Sequence, residues 1–271
     1  MNLNFYDTEE AFKLNPDMKV QVLSISNKYP IVLIDDVYKN PDMVREIALN
    51  TPIPLETYFS ATRGQLYNFF GNWHTAQTLS NLLIKELQIS TCFDENVPDD
   101  IVLDNNKLFA FNVMNPKDFP CPPPNYVPPH SDGCIIASVI YLNKDPETPI
   151  GTGVYQHIPS GLIIYPQHDI HFEWICQQDN IEPKEYMLKL DEYEKTVTPH
   201  TGNAEARGDS TYTVKGNSEW KLLYESPGTY NQLCAYVAGA FHSPLVHNPT
   251  FNSKNFCRIN QVIFWDWPIP G

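Results

Sequence analysis

Two stretches of helical period mark the amino-terminal part of this chain, and short apolar runs with alternation mark most of the remainder. Val20–Ile25 and Ile31–Ile34 read as strands. Asn40 stands as an N-cap and Pro41 takes the first helical position, with Met43, Val44, Ile47 and Ala48 forming one apolar stripe, so a helix is predicted there. A second helix is predicted over Ala76–Leu87, where Leu79, Leu82, Leu83 and Leu87 are spaced to cover a sheet. Between them Tyr58–Phe70 is aromatic and irregular; Arg63 within it is either a substrate contact or a surface residue of a packed loop. From Lys107 onward strands are predicted over Leu108–Val113, Ile135–Leu142, Gly151–His157, Gly161–Tyr165, Trp220–Glu225, Asn231–Val237 and Arg258–Trp265.

Helices first and strands after, without regular βαβ alternation, predict a mainly β (α+β) fold. The expected core is a double-stranded β-helix, a cupin-like jelly-roll barrel braced by amino-terminal helices. A chain of 271 residues needs only one domain. Residues 1–106 then supply strand and helix support, and residues 107–271 supply the core.

A formal net charge of −14 disfavours attraction to phosphate backbones, so no nucleic-acid partner is expected. Acidic faces such as Asp191–Glu194 serve solubility without implying a basic substrate. Cys92, Cys121, Cys134, Cys176, Cys234 and Cys257 show no Cys-x-x-Cys spacing and read as free thiols of a reducing compartment. No basic and apolar leader and no bilayer-spanning apolar run is seen, so a soluble cytoplasmic protein without a membrane partner is expected.

Candidate chemistry sits behind a proline-rich loop, Pro120–Pro129, whose fixed φ angles stiffen the approach to His130-Ser131-Asp132. On a strand, the period of two sends His130 and Asp132 to one face, where they can chelate one ion. His242 ends the apolar run Leu233–Phe241, which reads as a buried strand delivering a histidine at its end. His247, five residues on, is the rival third ligand. Two histidines and one carboxylate on one face of an ion leave the opposite positions open, as in non-heme Fe(II) sites. Sixteen residues past His242, Arg258 opens a strand on which Arg258, Asn260, Val262 and Phe264 share a face. Its guanidinium fork suits a carboxylate. His168 and His171, three apart, read as loop and strand and not as a second metal site. His157 is either a substrate contact or a surface imidazole, and His74 and His200 carry no signal.

At these residues the chain resembles the Fe(II)/2-oxoglutarate-dependent oxygenase superfamily, whose pattern is His-x-Asp, a distal His, then an Arg on a following strand. Gly151-Thr-Gly-Val-Tyr155 resembles the glycine-rich strand of its prolyl-hydroxylase-like members, and Pro30–Arg45 resembles their opening strand and first helix. The resemblance runs from about Pro30 to Trp267. It implies that His130, Asp132 and His242 bind Fe(II), that Arg258 pairs with the distal carboxylate of the cosubstrate 2-oxoglutarate, and that dioxygen is the second cosubstrate. Asn260 falls where many members carry a small hydroxyl residue. Tyr141 and Asn112 stand beside the site to bond cosubstrate or substrate, and Tyr126 and Trp220 to line its mouth, with core packing the alternative for each. The resemblance further implies hydroxylation over halogenation, because halogenases of the superfamily replace the carboxylate held here by Asp132; desaturation stays open. Nucleic-acid demethylases of the superfamily carry a second arginine where this chain has Phe264. His130 and His242 lie 112 residues apart, and 159–219 reads as an insertion, either a lid or substrate-selecting loop or a surface elaboration. The expected substrate is a small molecule such as an amino acid or natural-product intermediate. A peptide or protein side chain and a non-catalytic jelly-roll binding module are the alternatives.

Overall fold

The computed structural model describes residues 10–50, 63–64, 73–89, 110–114, 129–144, 151–166, 169–196, 216–245 and 258–266. Ten strands and four helices are found among them. In chain order these are β1 (Lys19–Ile25), β2 (Tyr29–Asp35), α1 (Pro41–Asn50), β3 (Arg63–Gly64), α2 (Trp73–Glu86), β4 (Ala110–Met114), β5 (Ile136–Tyr141) and β6 (Thr152–His157). They continue with α3 (Asp169–Asp179), α4 (Pro183–Thr196), β7 (Trp220–Glu225), β8 (Leu233–Val237), β9 (His242–Pro244) and β10 (Arg258–Trp265). The class is α+β, with mostly antiparallel sheets.

Seven strands form one sheet in the order β1-β2-β8-β5-β10-β4-β3, and three form a second in the order β7-β6-β9. Every pairing between these strands is antiparallel. Register divides the large sheet into two faces. One carries Gln261 and Trp265 and meets the amino-terminal helical layer: the Trp265 indole donates to the Ala76 carbonyl at 3.2 Å, and the Tyr38 hydroxyl donates to Gln261 at 2.8 Å. Leu79, Leu83 and Leu87 are fully buried, and Val44, Ile47 and Ala48 nearly so, as the apolar stripes of α1 and α2 require. The other face looks toward the three-stranded sheet, and Tyr141 reaches across to donate to Thr152 at 2.8 Å and to pair with Ser226 at 2.6 Å.

Four expectations change. The segment after His168 is helical: His171, Trp174 and Ile175 are buried at spacings of three and four, a helical face that the aromatic Phe172-Glu173-Trp174 run disguises as a strand. Gly161–Tyr165 is no strand. Gly161 sits at φ +73°, where only glycine is unstrained, and pairing shrinks to one bridge between Ile164 and Ala240. The strand predicted from Asn231 begins at Leu233, because Asn231 has φ +61° and spends its side chain bonding both backbone groups of Tyr38. Finally, the run Leu233–Phe241 is not one strand. It turns at Ala238-Gly239 and crosses to the other sheet, so His242 opens β9. Gly239 is required there, since a Cβ would collide with the Tyr165 carbonyl oxygen.

Within 159–219, α3 and α4 pack firmly. Trp174, Ile175 and Tyr186 are buried, and the Tyr186 hydroxyl donates to the Ile164 carbonyl at 2.6 Å. Lys28 in the β1–β2 turn donates to Asp179 at 2.9 Å, and Tyr29 lies 5.7 Å from the Trp174 ring. Residues 197–215 lie outside the described residues. No described helix is long and apolar enough to cross a membrane.

Candidate metal centre

His130 and His242 meet through their backbones before their side chains meet. Each donates its amide to the other's carbonyl, at 3.0 and 2.9 Å, forming an antiparallel bridge that extends the small sheet beyond β9. Two residues on, the Asp132 amide donates to the Ala238 carbonyl at 2.9 Å, tying the chain to the turn after β8. Side chains from two distant parts of the sequence, His130 with Asp132 and His242, are thereby brought together by main-chain bonds.

The ligand atoms of His130, Asp132 and His242 lie within 4.8 Å of one another. Asp132 stands between the imidazoles, 3.3 Å from His242 Nε2 and 3.8 Å from His130 Nε2. On an ion with bonds near 2.1 Å, neighbouring donors stand roughly 3 Å apart, so the set fits a cation with small adjustment. His242 Nδ1 lies 3.0 Å from the Ala240 carbonyl. That contact assigns the proton to Nδ1 and leaves Nε2 as the ligand, the usual outer-shell orientation of a metal-bound histidine. Burial by itself lowers the His242 imidazole, but the Asp132 charge and hydrogen bond, with the Ala240 carbonyl, hold it above its ordinary value.

Below this set, the inner face of the large sheet is ordered in rows. Tyr236, Ala137 and Phe264 share the first, and the Tyr236 ring lies 4.8 Å from that of His242. Cys234, Val139 and Val262 share the next, and Tyr141, Asn260 and Asn112 occupy the one after. Val262 and Phe264 are half-buried while Ile259, Ile263 and Trp265 are fully buried, so this stretch of the inner face borders open space. Asn112 donates to Asn260 at 3.0 Å. From the Phe264 row to the Asn260 row is four residues, about 13 Å at the usual rise. Arg258 holds the first position of β10, opposite Met114, on the side of the strand that Asn260 shares by period.

The structure thus brings together His130, Asp132 and His242, and sets Asn112, Asn260 and Tyr141 in one row below them. The Arg258 side chain, and His247, Tyr126, His168 and His200, lie outside the described residues; for Arg63 only the backbone pairing with Asn112 is described. His157 is neither a surface imidazole nor exposed to a cleft. It is buried at 2% exposure, 2.8 Å from Ser160 Oγ, with ring contacts to Tyr193 and Trp220 at 5.0 Å each. Trp220 is likewise packed, against His157 and Phe241, and lines no mouth. Tyr236 joins the site without belonging to the motif, although the alternation in Leu233–Val237 places it on the face of Cys234, inward beneath the histidines. Burial, with the Asp132 charge adding, raises its phenol well above the ordinary value, so it stays protonated.

No family model matches the chain, and no curated protein matches it.

Proposed function

We propose that this protein is a non-heme Fe(II)/2-oxoglutarate-dependent dioxygenase that hydroxylates a small molecule. The observation that carries the reading is the His130–Asp132–His242 set at the head of an inner face that runs from apolar Val139 and Val262 to polar Asn260 and Asn112. A five-carbon dicarboxylate has the same sequence of properties: a chelating end, an aliphatic middle and a charged far end.

Strand order supports a double-stranded β-helix. From β4 onward the chain visits the large sheet, the His130 bridge of the small sheet, β5 of the large, β6 and β7 of the small, then β8, β9 and β10 alternately. Alternation of this kind between two facing sheets is what a jelly-roll barrel requires, and it supports that reading.

Fe(II), 2-oxoglutarate and dioxygen together supply oxidising power, releasing succinate and carbon dioxide and delivering one oxygen atom to the substrate. His130, Asp132 and His242 would hold the ion, two imidazoles and one carboxylate leaving room for cosubstrate. Arg258, at the far end of the inner face, is assigned the distal carboxylate, with Asn260 and Asn112 as neutral hydrogen-bonding partners beside it. Val139 and Val262 keep water from the aliphatic middle. Asp132 fills the position a halide would need, which favours hydroxylation.

Anaerobic addition of Fe(II) and 2-oxoglutarate tests this. A visible metal-to-ligand charge-transfer band is expected in the parent and in His247→Ala. It should vanish in Asp132→Ala and His242→Ala, and need at least tenfold more 2-oxoglutarate in Arg258→Ala, roughly the worth of one charge-assisted hydrogen bond. No band in the parent would favour a non-catalytic binding module.

A further inference from the structure

We propose that Tyr186 of α4 is a positioning residue: through residues 163–165 it fixes the peptide group whose carbonyl orients His242 at the metal centre. The inference rests on the metal-site reading above and gives the inserted helices a part in that site.

The ring of His242 takes its aim from the peptide group between Ala240 and Phe241. Its Nδ1 lies 3.0 Å from the Ala240 carbonyl, and the amide of that same group, on Phe241, donates to the Ile163 carbonyl at 2.9 Å. A peptide unit is planar, so a bond on its amide side settles where its carbonyl points. The preceding group is held likewise, since the Gly239 carbonyl accepts from the Tyr165 amide at 2.7 Å. Ile164 and Ala240 face one another between these bonds as an isolated antiparallel bridge. Residues 163–165 are thus a splint along the turn that delivers the third ligand.

This splint is held from behind by α4. In such a bridge the two bonds belong to the flanking residues, so the carbonyl of Ile164 turns away from Ala240. There it accepts from the Tyr186 hydroxyl at 2.6 Å. Tyr186 is 1% exposed, and its ring meets that of Phe172 edge-on with centroids 5.6 Å apart, so ring packing sets the aim of the hydroxyl. Farther along α4, the Tyr193 ring lies 4.9 Å from that of Phe241, and Glu194 accepts from the Tyr165 hydroxyl at 3.1 Å. One helix therefore grips the splint and the turn together, and Tyr186 supplies the buried bond to the splint.

The test titrates the full chain with Co(II), whose visible absorption reports both affinity and the arrangement of the ligands without turnover. Tyr186→Phe keeps the ring against Phe172 and removes only the hydroxyl. It is expected to weaken Co(II) about fivefold, the equivalent of one neutral hydrogen bond, and to shift the visible bands as the His242 ring loses its fixed tilt. Trp174→Ala is the control, a larger defect in the same inserted pair that touches the β1–β2 turn and not the splint, and it is expected to leave both affinity and bands unchanged. Unchanged affinity in Tyr186→Phe would overturn the proposal. So would an equal loss in Trp174→Ala, which would make the effect one of general stability. No Co(II) absorption in the parent would overturn the metal-site reading and the role of Tyr186 with it, whereas a parent that binds Co(II) beside a Tyr186→Phe variant that binds it equally well sinks that role alone.

Discussion

His157 shows how differently two buried imidazoles of one protein can behave. A carboxylate 3.3 Å from His242 raises that imidazole above its ordinary value, whereas burial among Tyr193 and Trp220 keeps His157 below its ordinary value of 6.5, with Glu219 and Glu192 opposing. The folded state therefore takes up a proton at His157 less readily than the unfolded chain. Its contribution is fully present above pH 6.5 and is lost as the pH falls below that value. Thermal melts from pH 7.5 to 5 should fall more steeply for the parent than for His157→Gln, and parallel curves would contradict this. The candidate metal ligands are legible in the sequence because a two-residue spacing carries its own geometry: on extended chain, His130 and Asp132 must share a side. Tyr236 is not, since an aromatic on an apolar strand looks the same whether it packs in a core or leans on a histidine of the site.

At the scale of elements, the turn between β8 and β9 decides where the third ligand goes. Gly239→Ala would press a methyl group on the Tyr165 carbonyl, and is expected to cost about 1–3 kcal/mol in urea denaturation, with weaker metal binding because Ala238 and Ala240 flank the turn and bond Asp132 and His242. A packing defect placed elsewhere separates the two effects. Trp174→Ala in α3 should cost about 3–5 kcal/mol yet leave metal affinity intact, as measured by denaturation and Co(II) titration. The helices α1 and α2 are readable from capping and period, and the strands from alternation. The α3 helix mimics a strand because its aromatic residues favour strands in isolation and its helical period shows only in what is buried. The break at Ala238-Gly239 is hidden inside a continuous apolar run, where composition does not reveal a change of sheet.

For the whole molecule, the ligands join parts of the chain that folding must bring together from 112 residues apart. An ion that binds only the folded state adds stability by mass action, about 2.7 kcal/mol when its concentration is a hundred times the dissociation constant. The melting temperature of the parent should rise with Co(II) accordingly, and that of Asp132→Ala should not. A net charge of −14 works in the same direction, since a captured cation relieves some of the self-repulsion of the acidic fold.

The backbone bridge between His130 and His242 gives the centre a private reporter. The two amides that close this seam belong to the very residues whose rings would grip an ion, so the seam could not part while both stayed bound. Deuterium uptake at these amides should therefore slow about a hundredfold at that same excess of metal, while amides in the β1–β2 hairpin keep their pace. Occupancy becomes readable as the ticking of two protons, with no substrate, dioxygen or turnover needed.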